Sequence, residues 1–205
     1  MKELQSQSIS VPLRADVARL TLEASRRAEA MGLLEDGIAR SDVGAIRQLA
    51  NRVRGAGIAA SAADLLNNVE VPSPAEIARL LRTMIAALEA SPVPRFEWNG
   101  VARVLGADEL APLLNVSVSS LKRYQSGERD TPDPIAARLH WLALTVGDLA
   151  GSYNDIGVRR WFHRKRERLG GRAPLALLRG DWDPDDEGPA QVRQLARELV
   201  SLSAT

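Results

Sequence analysis

The residues best suited to do chemistry lie in one short stretch, NVSVSSLKRYQSGERD, from Asn115 to Asp130. Hydroxyls crowd around a single Lys-Arg pair. In a helix, Leu121 and Tyr124 stand three apart and share one face. With those two pointing inward, Ser117, Ser119, Ser120, Lys122, Arg123 and Ser126 point outward, and none of the six is acidic. Short hydroxyls let a helix lie deep in a major groove, where Lys122 and Arg123 can reach phosphate or guanine. Arg129 and the amino end of the helix would add backbone contacts. The chemistry on offer is binding to double-stranded DNA.

The flanking residues fit the offsets of a helix-turn-helix. Ala111 is small enough for a second helix to cross closely. Asn115, four residues on, tolerates the left-handed turn. Val116 plugs the turn, Leu110 and Leu114 face inward from the first helix, and Ser117 is a candidate N-cap of the second. The same pattern also describes a plain surface αα-hairpin.

A second unusual stretch is GVRRWFHRKRERLGGRAPLALL, residues 157–178. Seven cations, Arg159, Arg160, Arg164, Lys165, Arg166, Arg168 and Arg172, stand against Glu167 alone. Trp161 and Phe162 sit among them. Arg and Trp are enriched where proteins grip partners, which makes Arg160, Trp161, Arg164, Arg168 and Arg172 candidate partner-binding residues. Alternatively, this run pairs with the acidic cluster of Asp181, Asp183, Asp185, Asp186 and Glu187 across a turn, with Trp161 and Phe162 buried. Gly170 and Gly171 make a tight turn, and Ala173-Pro174 starts a short helix whose Leu175 and Leu178 face inward.

No catalytic constellation emerges. The two histidines, His140 and His163, are not at metal-ligand spacing. His140 is expected to be packed or half exposed. Ser117, Ser119 and Ser120 have no neighbouring base. Asp185, Asp186 and Glu187 read as a solvated acidic turn rather than a metal site. The expectation is a non-enzyme with no metal and no cofactor.

The elements that must position these residues read as helices throughout, so the expected fold class is all-α. Val17, Leu20, Ala24, Ala28 and Met31 recur at helical spacing, as do Val43, Ile46, Leu49 and Val53, with Gly55 and Gly57 as a stop. Ser73, Pro74 and Glu76 form a capping box before the stripe of Ile77, Leu80, Leu81, Met84, Ile85 and Leu88. That stripe suits a core or a dimer seam. SPVPRFEW, residues 91–98, reads as a joint. Asp133-Pro134 opens a capped helix with Ile135, Leu139, Leu142, Val146 and Leu149 on its apolar face. A last helix starts near Pro189.

The bulk numbers agree with a globular chain. It has 205 residues, 45% hydrophobic, 26% charged and 4% aromatic, with net charge +1. Any pull on nucleic acid must therefore be local. The absence of Cys excludes disulfides and thiolate chemistry. The residues before about Arg14 read as loose and carry no apolar leader, and no stretch suits a membrane span. The expectation is a cytoplasmic protein with no membrane partner.

Leu169-Gly170-Gly171-Arg172-Ala173-Pro174-Leu175 with Leu178, following a Trp-Phe pair, resembles the toxin-binding domain of the Xre/MbcA/ParS-type antitoxin family. The resemblance runs from about Phe96 to the C-terminus and includes the helix-turn-helix. It implies a homodimeric transcriptional regulator of a type II toxin-antitoxin pair. Such a protein represses its own operon at an operator-like inverted repeat and blocks a RES-type toxin, an NAD-destroying enzyme. It divides the chain into an N-terminal helical region of unknown role at 1–94, a helix-turn-helix at 95–152 and a toxin-binding domain at 153–205. The N-terminal region and the acidic DWDPDDEG insertion depart from the family pattern. A stand-alone helical regulator and a protein-interaction module without a toxin both remain open.

Overall fold

The computed structural model describes residues 13–35, 42–68, 70 and 72–202. The expectation of a loose amino terminus falls on residues 1–12, outside the described residues. The fold is all-α. Among the described residues the extended backbone pairing is limited to one isolated bridge, Arg166 to Arg172.

The N-terminal region holds α1 (Ala15–Ala30), α2 (Val43–Gly55), α3 (Ala60–Asn68) and α4 (Pro74–Ala90). The apolar positions read from the pattern of α1 and α2 are buried, apart from the partly buried Val43. The sequence pattern gave no expectation for α3, which packs Ala62, Ala63 and Leu66 inward. The capping box of α4 forms: the Ser73 hydroxyl accepts from the Glu76 N–H, and the Glu76 carboxylate accepts from the Ser73 N–H. Its stripe packs on α1 and α3 within the chain, so the intramolecular alternative is the one realised.

The expected joint at 91–98 is mostly helix. Pro94 takes the first turn of α5 (Pro94–Leu105), where its missing N–H costs no hydrogen bond. Gly106 then breaks the chain before α6 (Ala107–Leu113), which leads to α7 (Val118–Gln125) and α8 (Asp133–Leu149). Asp133 is the first helical residue of α8 and makes no side-chain cap. The single apolar face expected for α8 is also too narrow: residues all round it are buried, including Arg138, His140, Thr145 and Asp148. A helix buried on every side is the axis of a core. Against it pack α1, α5 and the C-terminal helix α11 (Glu187–Leu202). Between α8 and α11 lie α9 (Asp155–His163), a 3-10 turn at Glu167–Leu169 and α10 (Pro174–Leu177). One apolar cluster runs from Val17 through Leu121 to Ala196.

Two features lock the N-terminal helices to α5. A β-carbon at Gly100 would lie 2.4 Å from the Ala30 carbonyl oxygen and 2.7 Å from the Gly32 nitrogen, so only glycine permits this crossing. The second is polar. His140 Nε2 lies 3.0 Å from the Glu89 carbonyl oxygen, which can only accept, so Nε2 carries a proton. His140 Nδ1 lies 2.5 Å from Glu97 Oε1. Burial pushes the Glu97 carboxyl above its ordinary range, against the opposing hydrogen bond from His140. Through these two contacts His140 ties α4, α5 and α8 together.

Candidate nucleic-acid interface

α6 and α7 are two short helices joined by the turn Leu114–Ser117. The turn is made by Asn115 at φ +54°, a left-handed conformation that asparagine adopts more readily than most residues. Leu110, Ala111 and Leu114 are buried beneath it, and Val116 is partly buried against the same core. Leu121 and Tyr124 are the buried residues of α7, so the inward phase read from the sequence is the observed one.

The second helix is held at both ends. At its start the Ser117 hydroxyl accepts from the Ser120 N–H at 3.1 Å. At its far end Tyr124 stacks on Trp98 with ring centroids 5.8 Å apart, and the Arg129 guanidinium lies over the same Tyr124 ring at 5.4 Å. Trp98 is fixed in turn by donating from Nε1 to Thr131 Oγ1 at 2.9 Å. Gln125 donates to Asn99 at 3.0 Å, a further tie to α5.

The outward face carries Ser117, Ser119, Lys122, Arg123, Ser126 and Arg129, all exposed. Ser120 departs from the expected set: it lies on the flank of the helix, half-buried. Its hydroxyl accepts from Ser117, and Ser117 also lies 3.0 Å from the Ser119 hydroxyl. The serines therefore build the cap before they offer hydrogen bonds outward. Among the described residues neither Lys122 nor Arg123 has an ion-pair partner. Both cations stand exposed on a helix that contains no acid.

One residue that the sequence pattern assigned to the solvated acidic segment supports this site. Trp182 is buried, packs edge-on against Trp141 at 5.2 Å and donates from Nε1 to the Leu113 carbonyl oxygen at 2.8 Å. That carbonyl is one of the unsatisfied acceptors at the end of α6, so Trp182 caps the first helix of the pair. Arg138 holds the same loop through the Trp182 carbonyl and the Asp181 carboxylate. A tryptophan among five acids was the available signal.

The basic C-terminal stretch divides. Trp161 is 2% exposed and stands edge-to-face with Phe162. This corrects its assignment to a partner-binding face: Val158, Trp161 and Phe162 share the inward stripe of α9. Arg168 pairs with Glu198 of α11, not with the acidic cluster. His163 reaches Glu109 of α6 at 3.2 Å, and Arg159 donates to the Val104 carbonyl at 2.9 Å. Asp183 and Asp186 accept backbone N–H bonds within their own turn. The basic and acidic runs thus fold separately, and Arg160, Arg164 and Arg172 remain exposed. Gly170 and Gly171 both take positive φ, so the turn read there forms.

No group of three or more His, Cys, Asp or Glu among the described residues could hold a metal ion. No helix among them is long and apolar enough to cross a membrane. In comparisons with known proteins, no family model, curated protein or solved structure matches this chain. The functional reading therefore rests on the geometry of the site itself.

Proposed function

We propose that this chain is a DNA-binding transcriptional regulator that uses α7 as its recognition helix. The observation that carries the reading is the pairing of a left-handed Asn115 turn with an acid-free, unpaired cationic face on a helix pinned from beneath by Leu121 and Tyr124. α7 enters the major groove, Arg123 and Lys122 contact bases and phosphates, and Arg129 contacts the backbone. The protein acts as a homodimer on an operator-like inverted repeat, with half-sites about one DNA turn, ~34 Å, apart.

The resemblance of residues 169–178 to the antitoxin family supports a finer assignment: repression of its own operon together with capture of a RES-type toxin. Exposed Arg160, Arg164 and Arg172 are the residues left for that contact. The burial of Trp161 and the internal pairing of Arg168 favour a second reading, a stand-alone regulator with no toxin partner. A gel shift with DNA upstream of its own gene, at several salt concentrations, tests the DNA-binding role. A retarded, salt-sensitive complex is expected, and its absence at every salt concentration would end the proposal. Co-purification with the neighbouring gene product separates the two finer readings.

A further inference from the structure

Leu22, Leu65, Val118 and Ile156 are the large apolar side chains strongly exposed among the described residues. Val118 differs from the other three in where it stands. It opens the first turn of α7, 37% exposed, one helical turn before Lys122. The helix phase explains its position. Leu121 and Tyr124 occupy the inward face, which rotates Val118 to the flank on the side of Lys122, four residues on. Helix propensity does not call for valine here, because a β-branched residue is a weaker helix former than most. The neighbouring hydroxyls of Ser117, Ser119 and Ser120 are committed to one another at 3.0 Å. The least engaged chemistry at this end of the helix is a pair of methyl groups.

We propose that Val118 reads the 5-methyl group of a thymine in each half-site. The inference rests on the DNA-binding reading above and adds one element of its sequence preference. Residues at the amino end of a recognition helix reach base edges. Thymine alone presents a methyl group in the major groove, and an apolar side chain is its complement. The charge needed to hold the duplex comes from Lys122 and Arg123, so Val118 need contribute only discrimination.

The test uses the full-length protein and a random double-stranded DNA library to select the preferred site. Each selected thymine is then replaced by deoxyuracil, which removes only the methyl group. At one thymine per half-site, binding by the native protein should weaken about fourfold, the equivalent of one buried methyl. Val118→Ser should bind the thymine and deoxyuracil duplexes alike, within about twofold, while Val118→Thr keeps part of the preference through its remaining methyl. Val118 is on the surface, so these variants should retain the fold. If a site is selected but no deoxyuracil substitution weakens binding, or Val118→Ser is as sensitive as the native protein, this inference is overturned and the DNA-binding reading stands. If no sequence is enriched and no duplex is retained, both fall together.

Discussion

Replacing Glu97 by glutamine tests the polar joint that ties α5 to α4 and α8. Glu97 is 0% exposed, and its Oε2 has no hydrogen-bond partner. Burial raises its carboxyl above the ordinary value of 4.5. A raised carboxyl contributes stability that is fully present below the unfolded value and is lost as pH rises through the folded one. Native stability should therefore fall with increasing pH above about 4.5, by at most ~1.4 kcal/mol per pH unit from this group. Glutamine is isosteric, cannot ionise and can donate an amide N–H to His140 Nδ1. Glu97→Gln should cost under about 1 kcal/mol near pH 5 and gain on the native protein as pH rises. Urea unfolding of both proteins from pH 5 to 8 gives the difference directly, and other titrating groups cancel in it. A buried His⁺–Glu⁻ ion pair predicts the opposite, a loss of about 3–5 kcal/mol when one partner is neutralised. A loss of that size, with the native protein gaining stability as pH rises, would refute a carboxyl raised by burial.

Further outcomes follow from the same structure. Gly100→Ala places a β-carbon against backbone atoms that cannot turn aside, so thermal unfolding should show a loss of about 3 kcal/mol or more. Asn115→Gly should leave stability within about 1 kcal/mol of native, whereas Asn115→Val should cost about 1–2 kcal/mol or more, because valine resists positive φ. Arg168→Ala should change denaturant stability by under about 1 kcal/mol, since its pair with Glu198 is largely in solvent at 64% side-chain exposure of the arginine.

The turn between α6 and α7 and the inward face of α7 were legible in the sequence because their constraints are local. A small residue, a turn residue and two inward apolar residues at fixed offsets define the crossing of two helices, and Ala111, Asn115, Leu121 and Tyr124 supply them. Trp161 was misplaced for a different reason. Its arginine-rich surroundings suggested a surface, but it shares the inward stripe of α9 with Val158 and Phe162. Other features have no local signal at all. The pairing of Glu97 with His140 joins residues 43 apart. Asp148 lies near Arg27 at 3.6 Å and Arg193 at 3.8 Å, with burial pushing its carboxyl up against their pull. Such contacts depend on helix packing that the chain's periodicity leaves open. The cap that Trp182 places on α6 belongs with them.

The proposed role of Lys122 and Arg123 is to hold nucleic acid. Fluorescence anisotropy of a labelled duplex across salt concentrations, with native protein and the Lys122→Ala/Arg123→Ala double variant, measures it most directly. Native binding should weaken steeply as salt rises. The variant should bind more weakly, with a slope of log affinity against log salt shallower by at least about 0.9, the share of one phosphate contact. A native protein that binds no duplex in a salt-dependent way, or a double variant indistinguishable from it, would contradict the account.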